Sequence, residues 1–286
     1  MNYVGRFAPS PTGLLHIGSL LTAVASYADA RAHGGRWLVR MEDLDPPREM
    51  PGAAGHILNT LEQFGFEWDG EVVYQSRRHA LYRAALDDLV ARGLAYPCTC
   101  SRKQWHARAH DGALGLVYPG DCRDQPLTDL AQTDAAIRLR LPDDTVAFAD
   151  RWLGDCRFEL AREIGDPVLR RRDGDIAYAL AVVVDDGLQG ITDVVRGQDL
   201  VAATAIHLVL QQILGLPQPR YLHLPLVLNA DGSKLSKQNH APALNDATPA
   251  ANLLAALRHL QQDCDGLSAT MPVDTLLHEA VRRWRH

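Results

Sequence analysis

His16 and Gly18 are residues of the type, and at the spacing, that could bind a phosphate group. They follow a short apolar run at residues 3–8, which predicts a buried strand, and they precede a long helical pattern. At the start of a helix, backbone N–H groups and the positive end of the helix dipole point to one spot, where a phosphate fits. The imidazole can donate a hydrogen bond to a phosphate oxygen, and glycine lets a nucleotide approach the backbone. Alternatively, these residues only begin the helix and pack against it.

Two lysines, Lys234 and Lys237, could bring positive charge to the same ligand. They follow a loop-forming stretch at 229–233, which comes after the last predicted strand of a sheet. Two ammonium groups on a flexible loop can close over a triphosphate and neutralise charge as pyrophosphate leaves. A lysine-rich pentapeptide alone is usually part of the surface, so this prediction depends on the His16 region being present in the same chain.

Three of the five cysteines, Cys98, Cys100 and Cys122, are close enough in sequence to form a metal site. An odd number of cysteines clustered in this way fits a metal site better than a disulfide framework. Zinc prefers four ligands in a tetrahedron, so one more donor is needed. By chemistry alone the first choice is His106 or His110, both in a helix-like stretch. The alternative is a set of reduced core cysteines that bind no metal.

The elements that must position these residues alternate between helices and strands. A helical pattern covers residues 20–32, and residues 36–41 predict a strand that is followed by Glu42, Asp43 and Asp45. In a doubly wound sheet, ligands bind beyond the carboxyl ends of the strands, so these acids are placed to contact one. For Asp43 and Asp45, helix capping in a polar loop is the preferred interpretation.

Further helices and strands extend this alternation, which indicates a parallel sheet. An apolar run at 176–184, which contains Tyr178, is predicted to be buried. Predicted helices lie at about 51–64, 77–92, 200–214, 249–262 and 273–284, and predicted strands at about 72–74, 135–141, 145–148, 168–171 and 222–228.

Bulk properties narrow the class of protein. The chain has 286 residues, of which 47% are hydrophobic, which suits one large domain or two modest ones with a full core. No apolar run approaches the roughly 18 residues of a membrane span, and no signal-peptide pattern is visible, so a cytoplasmic protein is expected. No apolar repeat is apparent, so a monomer is expected. A net charge of −6 argues against a general nucleic-acid coat, although a local basic face could still bind RNA.

Four blocks of this sequence resemble the signature regions of class I aminoacyl-tRNA synthetases, in the glutamyl and glutaminyl branch. Ser19 stands where the family's HIGH signature has its last histidine, a departure that is usual in this branch, and Leu235 and Gln238 replace two residues of its KMSKS signature. The blocks occur in family order, at 6–19, 40–45, 190–197 and 234–238.

The resemblance implies a fold and its division into domains. The fold is α/β, a Rossmann-like doubly wound parallel sheet with an inserted zinc-bearing α/β subdomain and a short helical C-terminus. The catalytic domain is expected at 1–97 and 174–240, the insertion at 98–173, where the family contacts the tRNA acceptor end, and the helical segment at 241–286.

The resemblance also implies roles for individual residues. Arg196 is the strongest physical case, because a guanidinium can pair with a carboxylate through two hydrogen bonds and so select glutamate over glutamine. His16 and Lys237 are expected to be catalytic, and His16, Gly18, Lys234 and Lys237 to bind ATP. The expected glutamate-binding residues are Arg6, Ala8, Ser10, Glu42, Tyr178 and Arg196. One zinc ion is expected on Cys98, Cys100, Tyr118 and Cys122, with the tyrosine oxygen as fourth ligand.

The implied reaction is activation of glutamate by ATP with Mg²⁺, giving glutamyl-adenylate and pyrophosphate. The stretch after Asn239 is too short for an anticodon-reading domain. Short members of the branch without that domain transfer glutamate to queuosine in the anticodon of tRNA-Asp, and this acceptor is expected here. The alternatives are a truncated glutamyl-tRNA synthetase that charges a tRNA 3′ end, and a non-catalytic zinc-bearing module that binds tRNA.

Overall fold

The protein is described by a computed structural model that covers residues 2–124, 135–227 and 243–286. Its helices are α1 (Ile17–Ala32), α2 (Ala53–Gln63), α3 (His79–Ala91), α4 (Arg102–His106), α5 (Tyr178–Leu188), α6 (Val201–Leu214), α7 (Pro249–His259) and α8 (Val273–Arg283). Its strands are β1 (Val4–Phe7), β2 (Arg36–Met41), β3 (Val73–Tyr74), β4 (Ala95–Cys98), β5 (His110–Gly112), β6 (Gly115–Val117), β7 (Ala136–Leu139), β8 (Thr145–Asp150), β9 (Gly154–Glu159), β10 (Val168–Arg170), β11 (Asp193–Gly197) and β12 (Arg220–Leu224).

Parallel strands form the centre of the molecule, as the sequence predicts. β1 pairs with β2 and β2 with β3, while β11 pairs with β12 over its whole length. β1 and β11 lie side by side, because the Thr192 N–H donates to the Val4 carbonyl at 2.9 Å and the Val4 N–H to Thr192 Oγ1 at 2.8 Å. β2 and β3 extend the sheet on the side of β1, and β12 extends it on the side of β11. Ligands of doubly wound sheets bind beyond the strand ends at such a switch point.

Helices cover both faces of this sheet. α1, α2, α7 and α8 share one apolar core with β1, β2 and β12, and α3, α5 and α6 share a second core on the other side. In α6, ten consecutive residues from Ala202 to Gln211 are buried, as expected for a helix that is apolar on nearly all sides. The two helices predicted near the C-terminus are present and pack against α1.

The segment between β4 and β10 contains antiparallel strands. β7 pairs with β4 on one side and β10 on the other, and β5 and β6 form a separate hairpin. The hairpin β8–β9 instead extends the central sheet, because Asp150 in β8 pairs in parallel with Tyr221 in β12. The helix-like stretch in which the sequence places both His106 and His110 ends as a helix at His106, and His110 begins β5. Within the described ranges, every helix is too short or too polar to cross a bilayer.

Candidate active site

A cleft of about 410 Å³ opens at the carboxyl ends of β1, β2, β11 and β12. Strands far apart in sequence end at the same edge of the sheet, so residues that follow them meet there. Its lining includes all eight described residues that the sequence assigns to ATP or glutamate, namely Arg6, Ala8, Ser10, His16, Gly18, Glu42, Tyr178 and Arg196.

The two remaining assigned residues, Lys234 and Lys237, lie outside the described residues. Both ends of the gap in which they fall are at the cleft. Val227, the last residue before the gap, lines the cleft. Ala243, the first residue after the gap, forms a β-bridge with His16. The convergence of the two lysines with His16 stays a prediction, and the positions of these flanking residues agree with it.

His16 caps the N-terminus of α1 with its own ring. Its Nδ1 accepts hydrogen bonds from the backbone N–H groups of Gly18 at 3.1 Å and Ser19 at 3.4 Å. In a neutral imidazole the proton is then assigned to Nε2, which can donate to a ligand. A Cβ on Gly18 would lie 3.0 Å from Cε1 of His16, so glycine leaves room for this ring. Gly18 therefore has a local structural reason beside the predicted nucleotide contact.

A buried ion network supports one side of the cleft. Arg6 Nε and Arg40 Nη1 both donate to Asp186 Oδ1, at 3.1 and 2.8 Å, and Arg40 Nη2 donates to Glu42 Oε1 at 3.2 Å. Burial alone would raise the pKa of Asp186, but the two guanidinium groups outweigh it and hold this pKa at about 2. Asp186 is thus a fixed negative charge that orients Arg6 and Arg40.

Glu42 and Tyr178 are the two cleft groups whose pKa values are raised. Burial raises the pKa of Glu42, an effect only partly offset by Arg40 and then Arg6. Desolvation, followed by the charge of Glu42, raises the pKa of Tyr178 to about 12, so its hydroxyl stays protonated at neutral pH. Tyr178 keeps 38% of its surface exposed, although the sequence predicted it to be buried, because it begins α5 at the mouth of the cleft.

Arg196, on β11, is 4% exposed and has only neutral hydrogen-bond partners among the described residues. Its Nε donates to His223 Nε2 at 3.2 Å and its Nη1 to His207 Nδ1 at 3.2 Å. Its Nη2 donates to Thr204 Oγ1 at 2.7 Å and to the Leu200 carbonyl at 3.3 Å. A buried charge usually has an oppositely charged partner. Arg196 is therefore a buried cation at a cleft wall whose counterion is not one of the described carboxylates.

Sequence reasoning missed the residues that support the cleft from behind. Arg40 lies inside an apolar strand, where a charged residue is a signal for a buried ion pair, and Asp186 follows the apolar run 176–184 by two residues. His207 and His223 gave a similar signal, since each is surrounded by apolar residues in α6 or β12. Nothing in the sequence indicated that Asp186 would pair with Arg40 next to Glu42, or that both histidines would contact Arg196, because these partners lie on different elements.

The predicted metal ligands form a second, separate cluster. The Sγ atoms of Cys98, Cys100 and Cys122 all lie within 4.8 Å of one another. The Tyr118 hydroxyl is 3.4 Å from Cys98 Sγ and 3.6 Å from Cys100 Sγ, and it accepts a hydrogen bond from the Cys122 N–H at 2.9 Å. Three thiols and one phenol oxygen thus converge on one point, which is a donor set that fits a tetrahedral zinc ion.

The two histidines considered as fourth ligand are not part of this cluster. His110 Nε2 is 2.7 Å from the carbonyl of Arg162, and His106 is exposed and packs its ring on Trp105. The guanidinium carbon of Arg138 lies 3.8 Å from the centre of the Tyr118 ring, a cation–π contact that helps to hold the ring in this position. Among the described residues, Tyr118 is therefore the better placed fourth donor.

Comparison with known proteins agrees with this geometry. Residues 3–249 match the family of class I tRNA synthetases (E and Q), catalytic domain. A glutamate tRNA ligase from Elizabethkingia meningosepticum, solved in complex with its amino acid, has the same fold with a TM-score of 0.79 at 24% identity, over 97% of this chain and 64% of that chain. The present chain thus spans just under two thirds of that ligase.

Curated relatives are closer in sequence. The glutamyl-Q tRNA(Asp) synthetase of Neisseria meningitidis serogroup B is 63% identical over 244 residues, which cover 85% of this chain and 83% of that protein. The protein of the same name from Pseudomonas aeruginosa is 55% identical over 283 residues, covering 99% of this chain and 94% of that protein. The chain therefore belongs to the glutamyl-Q tRNA(Asp) synthetases, within the class I synthetase family that includes the glutamyl and glutaminyl enzymes.

Proposed function

We propose that this protein activates glutamate with ATP and transfers the glutamyl group to queuosine in the anticodon of tRNA-Asp. The strongest support is Arg196, a buried cation at the cleft wall whose hydrogen-bond partners among the described residues are all neutral. A substrate carboxylate would supply the missing counterion, and a guanidinium binds a carboxylate through two hydrogen bonds. A neutral amide in the same place would leave the charge unpaired.

The opposite charge on the other side of the cleft suits the amino group of the same substrate. Glu42 is a buried carboxylate whose pKa is raised, so an ammonium group placed beside it would stabilise its ionised form. The Tyr178 hydroxyl lines the same cleft and can add a hydrogen bond. An amino acid with an acidic side chain could then span from Glu42 to Arg196, in a cleft that Arg6, Ala8 and Ser10 also line.

The first chemical step is the attack of the α-carboxylate oxygen of glutamate on the α-phosphorus of ATP. A new O–P bond forms, the bond to the bridging oxygen breaks, and pyrophosphate leaves with the electron pair. Positioning and charge stabilisation supply most of the rate in such a step. The Nε2–H of His16 is assigned to donate to a phosphate oxygen, and Lys234 and Lys237 are proposed to neutralise the leaving group. Mg²⁺ would accompany the triphosphate.

In the second step, a ring hydroxyl of queuosine attacks the carbonyl carbon of glutamyl-adenylate. An ester bond forms, AMP leaves and the hydroxyl proton is released. This acceptor is proposed because the two curated relatives described above carry it in their names. The present chain aligns with more than four fifths of the length of each. The remaining alternative is transfer to the 3′ end of a tRNA.

Zinc is proposed at Cys98, Cys100, Tyr118 and Cys122. The four donor atoms fit a closed tetrahedral site, the kind that serves structure rather than catalysis. Bound there, the ion would cross-link β4 to the turn after β6. None of the four residues lines the cleft, so no step of the reaction is assigned to it.

The activation step is tested by ATP–pyrophosphate exchange, with glutamate, glutamine and aspartate compared, each with and without tRNA-Asp. Exchange that depends on glutamate is expected, and its absence under all these conditions would remove the proposed activity. The acceptor is tested with radioactive glutamate on tRNA-Asp with queuosine, tRNA-Asp without queuosine, and tRNA-Glu. Label on the first alone is expected. Equal label on both forms of tRNA-Asp, or label on tRNA-Glu, would favour transfer to a 3′ end.

A further inference from the structure

His207 is a buried residue that the reaction described above does not use. It lies on α6, is 1% exposed, and its Nδ1 is 3.2 Å from Nη1 of Arg196. A guanidinium can only donate, so Nδ1 is the acceptor and the ring proton is assigned to Nε2. That Nε2 is buried and has no hydrogen-bond partner in the part of the chain that the structure describes. A buried N–H without a partner is costly. The hydrogen bond from Arg196 to Nδ1 is therefore the polar contact that accounts for a histidine at this position.

Among the described residues, no carboxylate is a direct hydrogen-bond partner of Arg196, and the groups around His207 leave its charge uncompensated at close range. Burial, followed by the charge of Arg196, lowers the pKa of His207 well below its ordinary value, so the ring is neutral. The carboxylate of Asp150 reaches Arg196 only through the ring of His223, which it contacts at 2.7 Å from Nδ1. The nearby Asp186 is already paired with Arg6 and Arg40.

We propose that His207 is a positioning residue that sets the preference for glutamate over glutamine. It fixes Nη1 of Arg196 with a neutral acceptor, so the guanidinium is oriented and its full charge remains for the side-chain carboxylate of the substrate. A protein carboxylate at the same place would orient the guanidinium equally well but would neutralise it. The inference rests on the proposed function, because it assumes that glutamate is the substrate that Arg196 contacts.

Three substitutions at this position separate orientation from charge. His207→Asn places a neutral oxygen acceptor close to the position of Nδ1. His207→Asp places a charged oxygen acceptor there, on a side chain of the same size as Asn, and His207→Leu places no acceptor there. The measurement is kcat/KM in ATP–pyrophosphate exchange for glutamate and for glutamine. Relative to the unaltered protein, we expect the glutamate-to-glutamine ratio to fall about tenfold or more in the Leu and Asp variants. In the Asn variant, this ratio should stay within about threefold of that of the unaltered protein.

The Asn and Asp variants are the decisive pair, because a defect caused by loss of the imidazole ring would affect both alike. Equal glutamate-to-glutamine ratios in these two variants would overturn the inference. His278→Asn, the same substitution at an exposed site on α8, is the control and should change nothing. Direct calorimetric titration with glutamate and glutamine gives the same comparison for binding alone. If the unaltered protein binds glutamate but shows no exchange, the proposed function fails, and the binding ratios of the Asn and Asp variants still decide the role of His207.

Discussion

The cleft and the cysteine cluster are built in opposite ways. The cleft collects side chains from β1, α1, α5, β11 and β12, so its geometry depends on the whole sheet being formed. The cluster draws its four donors from the short stretch 98–122 and could be held together by a single bound ion. Its hydrophobic neighbours are the aromatic residues Tyr96 and Trp105. Damage to the cluster should therefore stay local, whereas damage behind the cleft should reach the whole fold.

The two regions also differ in how they treat charge. Behind the cleft, Asp186 joins two guanidinium groups in a network that is almost fully buried, while Arg196 has no such partner among the described residues. The cluster has thiols and a phenol, which bind a metal as anions but can remain neutral without one. The charges of the cleft are thus present without a ligand, and the substrate has to supply the counterion that Arg196 lacks among the described residues.

The largest expected effect comes from removing the unpaired cation. Arg196→Met should lower kcat/KM for glutamate in ATP–pyrophosphate exchange by about 30-fold or more, because losing one partner of a buried charge pair costs about 2–5 kcal/mol. The protein should still unfold cooperatively, since the lost partners are neutral. Calorimetry of thermal unfolding checks this. A folded Arg196→Met protein with nearly unchanged exchange would separate the cleft from glutamate recognition.

The second effect concerns the paired cation behind the cleft. Arg40→Met should lower the free energy of unfolding by about 3–5 kcal/mol, because it leaves buried carboxylates without their counterion. Arg40 is 0% exposed and contacts both Asp186 and Glu42. Arg48→Met is the matched control, because the Arg48 side chain is 64% exposed in its pair with Asp45, and exposed pairs contribute about 0–1 kcal/mol. Urea unfolding of both variants measures the difference. Similar losses in the two would mean that the network does not stabilise the fold.

Much of the cleft could be predicted from the sequence because its signals are local. The parallel sheet was indicated by alternating apolar strands and helices, and the resemblance of four short blocks to one family pointed to glutamate and ATP. The family and the parallel α/β fold are confirmed. The residue roles stay predictions, although the eight described residues share one cleft.

What the sequence could not provide was the set of partners behind these residues. The contact of Arg196 with His207 and His223 depends on how β11, β12 and α6 pack, and no spacing along the chain encodes that. The same holds for the hairpin β8–β9, which lies in the predicted insertion but pairs with β12. Chemistry alone also pointed to a histidine as fourth metal ligand, whereas the fold directs His110 to the carbonyl of Arg162.

The third prediction tests whether the cluster is separate from the cleft. Elemental analysis should find one zinc per chain in the purified protein and none in Cys122→Ser, because a closed site needs all its ligands. Limited proteolysis should then cut the variant faster between Cys98 and Cys122. Exchange with glutamate should stay within about threefold, or about 0.65 kcal/mol in activation free energy. Cys264→Ser, a cysteine outside the cluster, is the control and should keep both its zinc and its resistance to protease.

If the Cys122→Ser protein loses glutamate activation as completely as Arg196→Met does, the two regions are coupled and the separation proposed here is wrong. Zinc missing from the unaltered protein, purified without chelators, would instead leave the cysteines as core residues. The two outcomes are independent. The first tests whether a change in the cluster affects the cleft, and the second tests whether the four donors bind zinc.

The smallest expected effect is a gain in stability at the cleft itself. The folded pKa of Glu42 is raised above its ordinary value near 4.5, by burial against the partial opposition of Arg40. The folded protein therefore binds this proton more tightly than the unfolded chain, and stability falls as the pH rises through the raised pKa. At neutral pH the ionised carboxylate costs stability, and Glu42→Gln should recover part of it. The gain should be smaller than the loss in Arg40→Met.

Urea unfolding of both proteins at pH 7 and pH 5 isolates this contribution, because the two differ in this one titrating group and the neighbouring Asp186, with a pKa of about 2, stays ionised at both pH values. The variant should be the more stable at pH 7, and its advantage should shrink on acidification as Glu42 becomes protonated. The same substitution should raise the KM for glutamate about tenfold, since a hydrogen bond to a charged group contributes about 1.5–3 kcal/mol. A variant that is less stable at pH 7, or an advantage that grows at pH 5, would mean that the surrounding arginines dominate Glu42. A stabilised variant with weaker substrate binding would instead show that the cleft, unlike the cluster, gives up stability in order to hold a charge ready for the amino group of its substrate.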